Sequence, residues 1–80
     1  MRLDKFLKVS RIIKRRTVAN DACDAGRVRV GGKPVKASYE VKVGDVLEIQ
    51  FGEKLGRYEV MKVVEHSAKD DAADMYRALG

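Results

Sequence analysis

The sequence predicts an α+β domain in which two packed N-terminal helices rest on a small, mainly antiparallel β-sheet and a short helix closes the chain. Three observations carry that expectation. Apolar residues in the first 25 positions recur at helical spacing, the period drops to two after Gly26, and the pairs Gly31-Gly32 and Gly44-Asp45 punctuate the second region as turns. With 80 residues, 45% of them hydrophobic, the chain reads as one domain spanning 1–80. A domain of that size builds a thin core and leaves no room for a deep substrate cavity.

In "RLDKFLKVS" the residues Leu3, Phe6, Leu7 and Ser10 fall on one helical face while Lys5 and Lys8 project from the other. Asp4 lies in the first turn, where a carboxylate suits the positive end of the helix dipole. Ile12 and Ile13 then break a basic run, which marks the connection as folded, because disordered tails lack residues to bury. Thr17 is the predicted N-cap of the second helix, and Gly26 its stop. The inward candidates of that helix are Val18, Ala22 and Ala25, with Ala19 and Cys23 beside them, all small enough to let two helices approach closely. "RVRVGGKPV" alternates Arg27 and Arg29 with Val28 and Val30 and turns at Gly31-Gly32, the pattern of a hairpin. A further strand places Leu47, Ile49 and Phe51 on one side, and "RYEVMKVVE" offers another. The tail reads as a helix over 67–79, capped by Ser67, with Asp70 and Asp71 at its start and a stripe of Ala72, Met75, Tyr76 and Leu79 packed on the domain.

Charge is unevenly spread. The chain carries +5 overall, yet residues 1–16 hold seven Lys/Arg against Asp4, a net +6, and residues 27–36 add Arg27, Arg29, Lys33 and Lys36 for +4. The remainder is acidic. If the two basic segments meet in space they form one surface for an anionic partner, either nucleic acid or membrane. A membrane helix would need a broad apolar face, and Leu3, Phe6 and Leu7 are already claimed by the core. No aromatic residues line the basic strands, so a surface for phosphates and folded RNA shape is favoured over base stacking.

The sequence points to no catalytic, metal or cofactor site. His66 is the sole histidine and Cys23 the sole cysteine, so neither a zinc set nor a Cys-His pair can be assembled. A lone Cys23 among small residues reads as a buried hydrophobe, and a single thiol fits a reducing cytoplasm. No apolar run is long enough for a membrane span or a signal peptide.

The order of motifs also resembles a known family. An opening Arg-Leu-Asp helix, an "R…RT" junction, a second helix ending in glycine, and "V-x-V-x-G-x-x-V" followed by "V-x-x-G-D" make residues 2–50 similar to the S4 RNA-binding domain, with 51–65 as a strand extension. Within that group "MRLDKFLKVSRIIKRRT" and "AADMYRAL" resemble the stand-alone bacterial RqcP, or YabO-like, family. The resemblance implies an RNA-binding factor, not an enzyme, of ribosome-associated quality control. It would bind the obstructed large ribosomal subunit, contact large-subunit rRNA and P-site peptidyl-tRNA, and support RqcH-dependent alanine tailing of stalled chains. It also implies a cytoplasmic protein, monomeric away from the ribosome. Arg2 and Arg16 carry over as the leading RNA contacts, with Lys5, Lys8, Arg11 and Arg15 in support. Lys14, Arg27, Arg29, Lys33 and Lys36 complete the predicted surface. Two departures stand out: Gly31-Gly32 where relatives often have Asn-Gly, and no charged tail after the last element. The alternatives are a small heat-shock S4-like protein, which binds large subunits with a nascent chain and usually has a longer basic C-terminal extension, and a general RNA-binding or interaction module.

Overall fold

The computed structural model describes residues 1–64 and 72–79. Helix α1 spans Leu3–Val9 and helix α2 spans Arg16–Asp24. They are followed by strands β1 (Val28–Val30), β2 (Lys33–Pro34), β3 (Val46–Phe51) and β4 (Lys54–Val60), a 3₁₀ turn at Ala73–Met75 and strand β5 (Tyr76–Ala78). The strands form one antiparallel sheet in the order β2-β1-β3-β4-β5.

Helix α1 forms where the sequence places it, and Leu3, Phe6 and Leu7 are fully buried. Each such side chain contributes about 1.5–3 kcal/mol of burial. Helix α2 meets it through Ala19 and Cys23, both buried, so the expected close approach through small residues holds. Val18 and Ala25, predicted to face inward, are exposed instead, and Ala22 is half-buried. The start of α2 also differs from expectation. Arg15 occupies the N-cap in an extended conformation without a side-chain cap, and Thr17 lies inside the first turn. The apolar face that docks on α1 sets the helix's limits here, and one capping hydroxyl is too small a term to override it.

Between the helices the chain reverses at Arg11, whose φ of 64° places it in the left-handed region. Its N–H donates to the carbonyl of Lys8, closing α1 as a glycine ordinarily would. Ile13 is thereby carried into the core and Ile12 packs against it. At the hairpin, Gly31 and Gly32 have φ of 59° and 83°, the paired positive values that a two-residue turn with right-handed strand twist requires.

The sheet's inner side follows its register. Val28 faces Ile49 and Val30 faces Leu47, and the row runs on to Tyr58, whose ring meets Tyr76 edge-on at 5.4 Å. Phe51, expected on the inner side with Leu47 and Ile49, is exposed at the end of β3. The predicted C-terminal helix is not what the described residues form. Ser67, Asp70 and Asp71, with His66, lie outside them, and Tyr76–Ala78 is a strand paired with Tyr58, Glu59 and Val60. The stripe was partly right: Ala72 and Met75 are buried, and Leu79 is exposed. The open edge of β4 offers backbone partners that a three-residue helical turn could not match.

Candidate nucleic-acid interface

The first two N–H groups of α1 have no side-chain cap; backbone from a distant segment satisfies them. Leu3 N–H donates to the Tyr39 carbonyl at 2.8 Å and Asp4 N–H to that of Ala37 at 3.2 Å. Val41 N–H donates to the Met1 carbonyl at 2.9 Å, and the backbones of Arg2 and Glu40 form an isolated antiparallel bridge. Residues 37–41 therefore pin the chain start and fix where Arg2 leaves the backbone.

Asp4 organises what is gathered there. Its side chain is only 2% exposed. Arg2 donates Nε to Oδ1 at 3.2 Å and Nη2 to Oδ2 at 3.3 Å, a two-pronged pair. Across the helix pair, Arg16 Nε and Asn20 Nδ2 each donate to Oδ2 at 3.4 Å, and the Lys5 backbone N–H donates to Oδ1 at 2.8 Å. Burial alone would raise the Asp4 pKa. The hydrogen bonds from Asn20, Arg2, Lys5 N–H and Arg16 together outweigh it and hold the carboxyl below its ordinary value. It stays charged, and two guanidiniums from opposite helices are held at one point with their side chains about half exposed, 52% and 49%. Thr17 and Asp21 complete the lining of this open cleft.

Such a cluster suits phosphate. Each guanidinium is a rigid fork matched to paired anionic oxygens, and anchoring it beforehand lowers the entropy lost on binding. The rest of the first basic segment surrounds it: Lys5 and Lys8 on α1, Arg11 at the left-handed corner, and exposed Lys14 and Arg15 leading into α2. The second basic segment does not join as one patch. Lys36 adjoins Ala37 and so lies beside the start of α1, and Lys33 is exposed on β2. Arg27 follows α2 at an apolar groove, while Arg29 faces Glu48 across the sheet, where Glu48 also pairs with Arg57 at 3.5 Å.

Sequence reasoning assigned Asp4 to the helix dipole alone and did not find Asn20. The signal was available in the four-residue spacing of Arg16 and Asn20, which puts both on one face of α2. Cys23 lies nearby without chemistry of its own. Burial, then the charges of Asp4 and Asp24, pushes its thiol up to about 11. Iodoacetamide at pH 8 is expected to alkylate the native protein at least roughly tenfold more slowly than the urea-unfolded chain, followed by mass spectrometry. Equal rates would show that the thiol is not shielded.

The S4 domain family matches residues 1–47, which contain the whole cluster. Over 79 residues the chain is 51% identical to the RQC P-site tRNA stabilizing factor of Bacillus subtilis, covering 99% of this chain and 92% of that one. The factor of the same name from Streptococcus pneumoniae is 52% identical over 79 residues, covering 99% and 90%. The chain belongs to the S4 domain family, among the RQC P-site tRNA stabilizing factors. The solved S4-like folds agree. A trimeric structure of Vibrio cholerae heat shock protein 15 superposes with a TM-score of 0.89 at 26% identity, covering 98% of this chain and 80% of that one. The solution structure of the hypothetical protein HP1423 gives 0.84 at 30% identity, covering 100% and 98%. In this S4 domain the match ends at residue 47, so most of β3, all of β4 and β5 extend the sheet beyond it.

Proposed function

We propose that this protein holds P-site peptidyl-tRNA in place on an obstructed large ribosomal subunit during ribosome-associated quality control, as a binding factor and not an enzyme. The observation that carries the reading is the Arg2–Asp4–Arg16 cluster, two anchored guanidiniums at the helix pair of an S4 domain whose relatives at 51% and 52% identity are named for P-site tRNA. Arg2 and Arg16 grip phosphates of one RNA. Lys5, Lys8, Arg11, Lys14 and Arg15 extend the contact along the backbone toward a second, so that rRNA and tRNA are bridged. Holding the tRNA would keep the stalled chain in position for RqcH-dependent alanine tailing. Heat shock protein 15 shares the fold at lower identity, which favours the tRNA-stabilizing reading over the heat-shock one.

Phosphate contacts make binding salt-dependent. With about six contacts, affinity is expected to fall by roughly three orders of magnitude between 50 and 200 mM salt. Two RNAs bound at once also raise affinity above either contact alone. Large subunits carrying peptidyl-tRNA are therefore expected to bind much more tightly than empty ones at equal salt, with alanine tailing lost in cells lacking the gene. Equal affinity for both subunits, with tailing intact, would leave only a general RNA-binding domain.

A further inference from the structure

A second cleft lies away from the Asp4 cluster, where the outer side of α2 meets the β3–β4 turn. Its volume is about 380 Å³, and its walls are Ile12, Ile49, Ala22, Val18 and Phe51, with Arg27 as the one charged lining residue among the described residues. Ile49 forms a buried floor, while Val18 and Phe51 stand 49% and 43% exposed at the mouth. Half-exposed large apolar side chains converging on a groove are the usual mark of an interaction surface. Cations outnumber carboxylates around it: the Ile12-Ile13 wall is bracketed by exposed Arg11, Lys14 and Arg15, exposed Asp21 and Glu53 adjoin the lining residues Ala22 and Gly52, and among the described residues no carboxylate pairs with Arg27.

We propose that this groove docks a partner protein through a segment carrying one or two large apolar side chains flanked by Asp or Glu. The apolar side chains would fill the space between Val18 and Phe51, and the acidic flanks would meet Arg27 and the basic connection between the helices. A nucleobase fits the same place poorly. Even stacked on Phe51, its polar edges would lie against the aliphatic side chains of Ile12, Val18 and Ile49, and the Gln50 amide nitrogen that might meet them already donates to the Gly52 carbonyl at 3.0 Å. Arg27 thus belongs to the protein site and Arg2 and Arg16 to RNA, while Arg11, Lys14 and Arg15 border both.

The test is site-directed photocrosslinking in cells, with p-benzoylphenylalanine replacing Phe51 and, as the control, Val43, an exposed apolar residue that does not line the groove. Adducts are analysed for both peptide and nucleotide. The expected result is a peptide adduct at position 51, absent at 43, whose segment combines large apolar residues with neighbouring Asp or Glu. That segment, synthesised and titrated against the purified protein, should bind Val18→Asp, Phe51→Ser and Arg27→Glu at least roughly tenfold more weakly than the wild type. Circular dichroism shows which variants remain folded, and Arg27→Glu changes only an exposed side chain. Nucleotide adducts at position 51 would overturn the proposal in favour of RNA. Equal adducts at both positions, or unchanged peptide binding by folded variants, would overturn it outright.

Discussion

Alanine at both Arg2 and Arg16 is expected to weaken binding to tRNA-bearing large subunits by about a hundredfold or more. A charge-assisted contact from each guanidinium is worth about 1.5–3 kcal/mol, and every 1.4 kcal/mol is a factor of ten. Their half-exposed side chains would suggest no effect on stability, since exposed ion pairs contribute little. The buried partner changes that expectation. Removing either arginine takes a donor from the Asp4 carboxylate, so each single variant should lose about 1 kcal/mol of stability alongside its affinity. Lys54→Ala, on β4 and outside the basic segments, should match the wild type in both measurements. Equal binding losses for Lys54 and the arginines would indicate diffuse attraction instead of a site. Binding by filtration or anisotropy at fixed salt, with melting curves on the same samples, separates the two effects.

The larger effect on folding is expected from Asp4→Ala. The substitution leaves Asn20, two guanidiniums and the Lys5 N–H without their common acceptor, a loss of about 2 kcal/mol, or roughly 8–16 °C of Tm in a domain of this length. RNA affinity should fall as well, because Arg2 and Arg16 lose their anchor while keeping their charge. The acid limb gives an independent check. The folded-state pKa of Asp4 lies below its ordinary value of 3.8, so its contribution is complete above the unfolded value and fades as pH drops through the lower folded one. The Tm gap between wild type and Asp4→Asn should therefore be widest near neutrality and narrow as the pH falls below 3.8. A gap of constant size from pH 7 to pH 2.5 would show that the carboxylate charge is not what binds the cluster together.

The parts of this molecule legible in the sequence are those set by local pattern. Leu3, Phe6 and Leu7 repeat at helical spacing and are buried together, and Gly31-Gly32 turns the hairpin because two positive φ angles are needed there. What was missed depends on which surfaces meet. Tyr76–Ala78 has an acceptable helical pattern, but the unpaired edge of β4 takes it as a strand. Val18 sits on the same stretch of helix as Ala19, yet only the latter faces α1, a distinction fixed by the packing angle and not by hydrophobicity. The basic residues are legible as charges, though not the surfaces on which the fold sets them. Nothing local to Arg2 says that its partner also reaches Arg16, and nothing local to Arg27 says that it borders an apolar groove.

The stitching of residues 1–4 to residues 37–41 also bears on dynamics. Chain ends ordinarily fray, and their amides exchange with solvent through small local openings. Here the Leu3 and Asp4 amides are held by carbonyls more than thirty residues along the chain, in front of side chains buried in the core. Opening them means separating the helix from residues 37–39 and exposing Leu3, so these amides are expected to exchange far more slowly than those of a frayed end, which hydrogen-exchange mass spectrometry would read. Arg2 then moves with the folded body and not as a free end, and the RNA grip proposed for it has the rigidity of the core although it is built on the second residue.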